Sequence, residues 1–317
     1  MTLAFKIIAY FLTFLAVVAV ITYVKMRVRV AGWEREYPPY GHFVMVDGHP
    51  VHTVVRGQGP DLVLIHGASG NTRDMEIALG ELADRYRLII FDRPGLGYTP
   101  RIGTGTDAGT PREQAALLQA AAAQLGADRP IVLGHSYGGA VGAAWAVYHP
   151  ENIAGFVDVS GATHPWGGSV SGLYQALSTK IGARLIPYLG AAWVPRSYVQ
   201  TSVEDIFEPG APPEGYADNV AGILVARPWS LLANALQVSH LDDALKQQHV
   251  GYPDITIPVE VLHGDADTTV YLPIHAEAMA EQVPNANLTV LTGAGHMPHH
   301  THKAQIIAAI DRIAGLN

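Results

Sequence analysis

The chain has 317 residues, long enough for one large domain with an insertion or for two modest domains. Hydrophobic residues make up 49% and charged residues 15%, which excludes a disordered chain that lacks apolar surface to bury. The net charge of −8 argues against a nucleic-acid partner, and the absence of cysteine excludes disulfides, thiolate metal sites and a cysteine nucleophile.

The first element is apolar on every face. Residues Ile7 to Val24 carry no charge, proline or glycine. At a helical rise of about 1.5 Å per residue they extend roughly 27 Å, close to the hydrocarbon thickness of a bilayer. Lys6 stands before the run, and Lys25, Arg27 and Arg29 follow it. A cleaved signal peptide would end in a small-residue cleavage site, and none precedes the basic cluster. A buried core helix rarely stays apolar on every face. The expectation is an uncleaved single membrane span within residues 1–30, with Tyr10, Tyr23 and Trp33 near the interfaces. The basic residues after the span outnumber Lys6 and the terminal amine, so the positive-inside bias tilts the catalytic domain toward the cytoplasmic face.

A linker with Pro38 and Pro39 is expected over 31–41. Beyond it, short apolar strands alternate with helical segments. Phe43 to Asp47 and Val51 to Arg56 read as a hairpin joined by Gly48-His49-Pro50. Leu62–Ile65, Leu88–Phe91, Ile131–Leu133, Gly155–Val159, Val259–Leu262 and Leu288–Leu291 read as six further strands. Helices are predicted over Met75–Tyr86, Arg112–Leu125, Tyr137–Tyr148, Ile274–Gln282 and Lys303–Ala314. Such alternation means an α/β fold: a mostly parallel eight-stranded sheet with helices on both faces. From Trp166 to Val250 no good strand occurs over 85 residues, too long for a structureless loop. Apolar patches at Ser171–Ile186, Ala217–Val225 and Ser230–Leu245 predict an inserted helical cap over 166–250. The core then comprises 42–165 and 251–317.

Gly134-His135-Ser136-Tyr137-Gly138 lies between a predicted strand and a predicted helix. A serine on that sharp turn projects its hydroxyl into solvent at the end of the sheet, and flanking glycines relieve crowding. The competing role, a serine that caps the helix, does not need the glycines. A serine hydroxyl needs a base. His296, in Gly293-Ala294-Gly295-His296 after the last strand, has no evident packing role. His299, His300 and His302 read as surface residues opening the last helix. Without cysteine partners, and with spacing that fits no zinc pattern, they predict no metal site. The imidazole needs an acid to fix its tautomer. Asp267 follows a strand and is the candidate, with Asp265 and Asp158 as rivals.

The order Ser136, Asp267, His296 differs from the chymotrypsin and subtilisin orders. With these motifs the sequence resembles the α/β-hydrolase family, in its branch of serine esterases and lipases with a helical cap, from about His42 to the C-terminus. His66-Gly67-Ala68-Ser69-Gly70 is similar to the family's oxyanion loop, which implies that the backbone N–H groups of Ala68 and Tyr137 hold the oxyanion. Asp92-Arg93-Pro94-Gly95-Leu96-Gly97-Tyr98-Thr99 resembles the family's D-x-P-G-x-G-x-S turn, whose role is loop architecture. Haloalkane dehalogenases and epoxide hydrolases use an aspartate nucleophile, and the turn here holds Ser136.

The resemblance implies acyl transfer from a small-molecule ester to water, with no metal or organic cofactor. Pocket residues are expected to be His66, Gly67 and His135 beside these loops, and Trp166 and Tyr174 from the cap. Leu173, Leu177, Trp193, Trp229, Leu231 and Leu232 add apolar character. Together with the membrane span they point to a lipophilic ester. The same triad would serve a carbon–carbon bond hydrolase, with Arg184, Arg196 or Arg227 binding a second carboxylate. It would equally serve a lactonase or a perhydrolase. A non-catalytic binding member of the fold is the alternative of a different class. The oligomeric state is not legible.

Overall fold

A computed structural model describes residues 2–316, apart from Thr106 and Ala108. Its elements in chain order begin with α1 (Leu3–Glu36), β1 (His42–Val46), β2 (His49–Arg56) and β3 (Asp61–Ile65). There follow α2 (Thr72–Leu79), β4 (Arg87–Phe91), α3 (Pro111–Gln124), β5 (Ile131–His135), α4 (Tyr137–Tyr148) and β6 (Gly155–Val159). Then come α5 (Gly172–Leu177), α6 (Gly182–Trp193), α7 (Arg196–Glu204), α8 (Tyr216–Asn219) and α9 (Pro228–Gln248). The chain closes with β7 (Val259–Gly264), α10 (Ala278–Gln282), β8 (Ala286–Leu291), α11 (Pro298–Thr301) and α12 (Lys303–Ala314).

The strands form one sheet in the order β1-β2-β4-β3-β5-β6-β7-β8. β1–β2 and β2–β4 are antiparallel, and every other neighbour is parallel. β5, β6 and β7 are buried along their whole length, as parallel strands covered by helices on both faces must be. Leu118 of α3 and Val141 of α4 belong to one core layer; Met75 of α2 and Ile306 of α12 belong to the other. The hairpin turn differs from the expected one. It sits at Asp47-Gly48, both with positive φ (49° and 82°), while His49 and Pro50 already pair in the ladder. Asp-Gly suits a two-residue turn in which both residues are left-handed.

Between β6 and β7 the chain forms α5 to α9 with short 3₁₀ turns, and among the described residues no strand. α1 differs most from expectation. Helix continues to Glu36, so the expected linker is helical over its first six positions. Trp33 is not an interfacial residue: it is buried with Met26 and Val30 against Ala191, Ala192 and Val199 of α6 and α7. The spacing of Met26, Val30 and Trp33 puts them on one helical face. Arg29 donates to the carbonyls of Ala192 and Val194 at 2.9 and 2.6 Å, closing the C-terminal end of α6. The preceding part of α1 is long and apolar enough to cross a membrane, and only 6% of its apolar window is buried by the rest of the protein.

Candidate active site

β5 ends at His135, and the chain turns into α4 through Ser136, whose backbone is held at φ 54° and ψ −119°. That left-handed conformation is strained for a side-chain-bearing residue. A Cβ on Gly134 would strike the Gly138 carbonyl, and one on Gly138 would strike the Ile65 carbonyl. The glycines therefore permit the close approach that the turn requires. Ser136 occupies the N-cap position of α4 but makes no capping hydrogen bond with its side chain. Its hydroxyl lies 2.9 Å from His296 Nε2.

His296 comes from the loop between β8 and α11, and its Nδ1 is 2.7 Å from Asp267 Oδ2. Asp267 follows β7. Its Oδ1 accepts from the backbone N–H groups of Thr269 and Val270 at 2.8 and 3.0 Å. His263 Nε2 adds a contact to Oδ2 at 3.4 Å. Burial alone would raise the pKa of this carboxyl, but the bonds from His263, His296 and the backbone outweigh it and hold Asp267 well below the usual carboxylate range. An ionised carboxylate at Nδ1 keeps that nitrogen protonated and leaves Nε2 free to accept from the serine. The rival acids sit elsewhere. Asp265 is exposed and accepts from Gly293 N–H at 2.7 Å, tying two loops together. Asp158 is fully buried, neither of its oxygens has a hydrogen-bond partner, and burial pushes its pKa up to about 7.

The loop after β3 lies against this turn: a Cβ on Gly67 would come within 3.0 Å of Ser136 Cβ. Arg93, fully buried, donates to His66 O at 2.9 Å and to Gly67 O at 3.1 Å. In a trans peptide C=O and N–H point in opposite directions. Anchoring the Gly67 carbonyl on Arg93 therefore turns the Ala68 N–H away from the core. Neither Ala68 nor Tyr137 donates its N–H to a protein acceptor among the described residues.

A cavity of about 490 Å³ opens beside Ser136 and His296. Ala68, Gly67, His135 and Tyr174 border it, as do Leu173 and Leu231; Val194, Val199, Val203 and Ile206 add apolar surface, and Ser69, Asp74 and Asn234 polar groups. Two expected pocket residues are not on it. His66 is buried beneath the loop, its Nδ1–H donating to Gly67 O at 2.8 Å and its Nε2 accepting from Arg93 N–H at 2.9 Å. Burial beside Arg93 lowers its pKa to about 4, so it is a neutral structural brace. Trp166 instead lies at the start of the inserted segment, its backbone N–H donating to Asp242 Oδ1 at 2.8 Å. Of the three cap arginines, Arg184 is exposed and does not border the cavity, and the other two are engaged. Arg196 pairs with Glu36 and Asp218, and Arg227 is buried against Glu34 and the Gly97 carbonyl. No arginine or lysine borders the cavity among the described residues.

One polar cluster was misread from the sequence. His299 and His300 are not surface residues: their side chains are buried on Asp74, at 3.4 and 2.8 Å. Tyr216 of α8 donates to the same carboxylate at 2.7 Å. Burial would raise the Asp74 pKa, but the two histidines hold it well below the carboxylate range. Asp74, His135 and His299 place possible ligand atoms within 4.8 Å of one another. The His135 and His299 rings lie 4.1 Å apart and are tilted 40° to each other.

A sequence model of the alpha/beta hydrolase family matches residues 62–309. The pimeloyl-[acyl-carrier protein] methyl ester esterase of Aeromonas hydrophila is 25% identical over 279 residues, covering 82% of this chain and 97% of the esterase. Polyketide synthase ThaQ of Burkholderia thailandensis is 28% identical over 251 residues; these are 78% of this chain but only 11% of the synthase. Among solved structures, a bacterial membrane phospholipase A matches with a TM-score of 0.66 and 20% identity, over 98% of this chain and 99% of its own. The likeness to the phospholipase speaks to the fold.

Proposed function

Because the chain belongs to the alpha/beta hydrolase family, we propose that it is a serine hydrolase that cleaves a lipophilic carboxylic ester at the surface of the membrane holding α1. The observation that carries this reading is the hydrogen-bonded chain Ser136–His296–Asp267 at one end of a cavity with apolar walls.

His296 Nε2 takes the hydroxyl proton as Ser136 Oγ attacks the ester carbonyl. The negative charge that forms on the carbonyl oxygen is met by the free N–H groups of Ala68 and Tyr137, the latter at the positive end of α4. The C–O bond then breaks, and the alcohol leaves with the proton from His296. Water, deprotonated by the same nitrogen, attacks the acyl-enzyme and restores Ser136. Asp267 stays ionised throughout and stabilises the imidazolium.

The cavity supports a lipophilic acyl group, since its lining is mostly apolar, with Leu173, Val194, Val199, Val203, Ile206 and Leu231 among its side chains. A carbon–carbon bond hydrolase that must bind a second carboxylate is disfavoured, because Arg196 and Arg227 are engaged elsewhere and Arg184 does not border the cavity. The span is supported by the exposed apolar side chains from Leu3 to Val24, a surface too large for water to face without cost. Its continuity with the buried Met26–Trp33 face supports an anchor that stays attached. The positive-inside bias of Lys25, Arg27 and Arg29 favours the cytoplasmic side for the enzyme. The bacterial membrane phospholipase A, which aligns along nearly the whole chain, adds a lipid ester to the candidates.

Full-length protein in detergent, offered p-nitrophenyl esters from acetate to palmitate, tests the proposal. Hydrolysis that rises in kcat/KM from acetate to octanoate is expected. A preference for acetate would contradict the lipophilic substrate.

A further inference from the structure

We infer that Asn234, on cap helix α9, is a positioning residue that holds the loop bearing the Ala68 N–H, so that cap placement and stabilisation of the developing oxyanion are coupled. The inference rests on the serine hydrolase reading above.

Ser69 follows Ala68 and is held at φ 60°, a left-handed conformation that a serine does not adopt without help. The help comes from the cap. Asn234 Oδ1 accepts from the Ser69 backbone N–H at 2.7 Å, and Asn234 Nδ2 donates to Ser69 Oγ at 3.1 Å. The same Nδ2 donates to the Tyr174 hydroxyl at 2.9 Å. Asn234 is only 1% exposed and lies, with Ser69 and Tyr174, on the border of the cavity. The amide thus grips the backbone N–H and the hydroxyl of one residue 165 positions away in sequence, and Tyr174, from α5, orients the grip.

The two peptide planes around Ala68 are therefore fixed from opposite sides. Arg93, from the core, holds the plane before it through Gly67 O; Asn234, from the cap, holds the plane after it through Ser69 N–H. The Ser69 N–H is also removed from the set of free donors. The Ala68 N–H is left as the one amide of that pair available to the reacting carbonyl oxygen. If the cap shifts, Asn234 shifts with it, and Ser69 is released to relax out of its strained conformation. A donor displaced by about 1 Å loses on the order of 10²-fold in rate.

The test uses full-length protein in detergent with p-nitrophenyl butyrate and a trifluoromethyl ketone. The ketone adds to a serine and forms an oxyanion without turning over. Asn234→Leu is expected to lower kcat about 10²-fold, to change KM less than about threefold, and to weaken ketone binding by a factor similar to the kcat loss. Tyr174→Phe removes only the hydroxyl that orients the amide, and should lower kcat several-fold with the same KM pattern. It carries the test if Asn234→Leu does not fold. A rise in KM at unchanged kcat would show that Asn234 is a substrate contact and would overturn the inference, as would unaltered ketone binding in the folded variants. Wild-type protein without esterase activity would remove the hydrolase reading itself. An active wild type with unimpaired variants would remove only the coupling.

Discussion

The indole N–H of Trp193, on the cap, donates to the Thr22 hydroxyl of α1 at 3.1 Å, and Lys25 lies 3.7 Å above the same ring. Four residues beyond Thr22 along α1, Met26 begins the buried apolar face that ends at Trp33. The helix is thus an apolar span at its start and a cap element at its end. Deleting residues 2–21 should leave the unfolding midpoint of the domain nearly unchanged. Deleting 2–36 exposes Ala191, Ala192 and Val199 and should give aggregated protein. Trp33→Ala should cost about 3 kcal/mol in denaturant unfolding. A loss below about 0.5 kcal/mol would mean that α1 does not pack on the cap.

The nucleophile turn depends on glycine at a defined place. The Cβ of Gly138→Ala would press on the Ile65 and His66 carbonyls, which belong to a central strand and cannot give way. The variant should lose more than about 3 kcal/mol, enough to prevent accumulation of folded protein. Gly32→Ala, within α1, meets nothing within 4 Å. It should be neutral or stabilising by up to about 1 kcal/mol through helix propensity. Thermal melts of both variants check the contrast.

Asp267→Asn retains the shape but not the charge, and an asparagine NH₂ facing His296 would favour the wrong tautomer. The expected loss in kcat is on the order of 10³- to 10⁴-fold with KM little changed. Asp265→Asn should keep activity within a few-fold, because that carboxylate bonds to Gly293 and not to His296. Equal losses in the two variants would contradict the assignment of the acid.

Asp158 gives a stability signature in pH. Burial raises its folded pKa to about 7 from 3.8. Between these values the folded state keeps a proton that the unfolded state releases. The Asp158 contribution therefore falls as pH rises through that window, by at most about 4 kcal/mol, against the opposite contribution of the buried His66, His275 and His299, whose pKa values are lowered to about 4. Asp74 and Asp267 are shifted the opposite way, so their contribution is lost only as pH falls below the usual carboxylate range. The stability of Asp158→Asn relative to wild type should therefore increase from pH 5 to pH 8, leaving the variant the more stable form at pH 8. Urea midpoints at the two pH values, with parallel slopes for wild type and variant, would refute this.

The eight strands and the Ser136, Asp267 and His296 positions were legible because each leaves a local mark: a short apolar run, or a polar residue set between glycines where a strand ends. The contacts that organise the site from a distance leave none. Asn234 reaches Ser69 across 165 residues and Tyr216 reaches Asp74 across 142. An asparagine or an aspartate on a helix looks the same whether it faces solvent or a buried partner. His299 and His300 were read as surface residues for that reason. Trp33 was placed at a membrane interface because the apolar run before it is complete by Val24. The face it shares with Met26 and Val30 has meaning only once the cap is in place. His66 was expected in the pocket by adjacency in sequence, whereas its ring turns down to brace Gly67 and Arg93.

The central claim is that Ser136 is activated by His296 in the folded, full-length protein. Incubation with a fluorophosphonate probe, followed by mapping of the labelled peptide, tests it directly. The expected result is a single label on Ser136 that is absent from Ser136→Ala and strongly slowed in His296→Ala. Failure of the probe to label well-folded wild-type protein, or labelling that persists in Ser136→Ala, would contradict it.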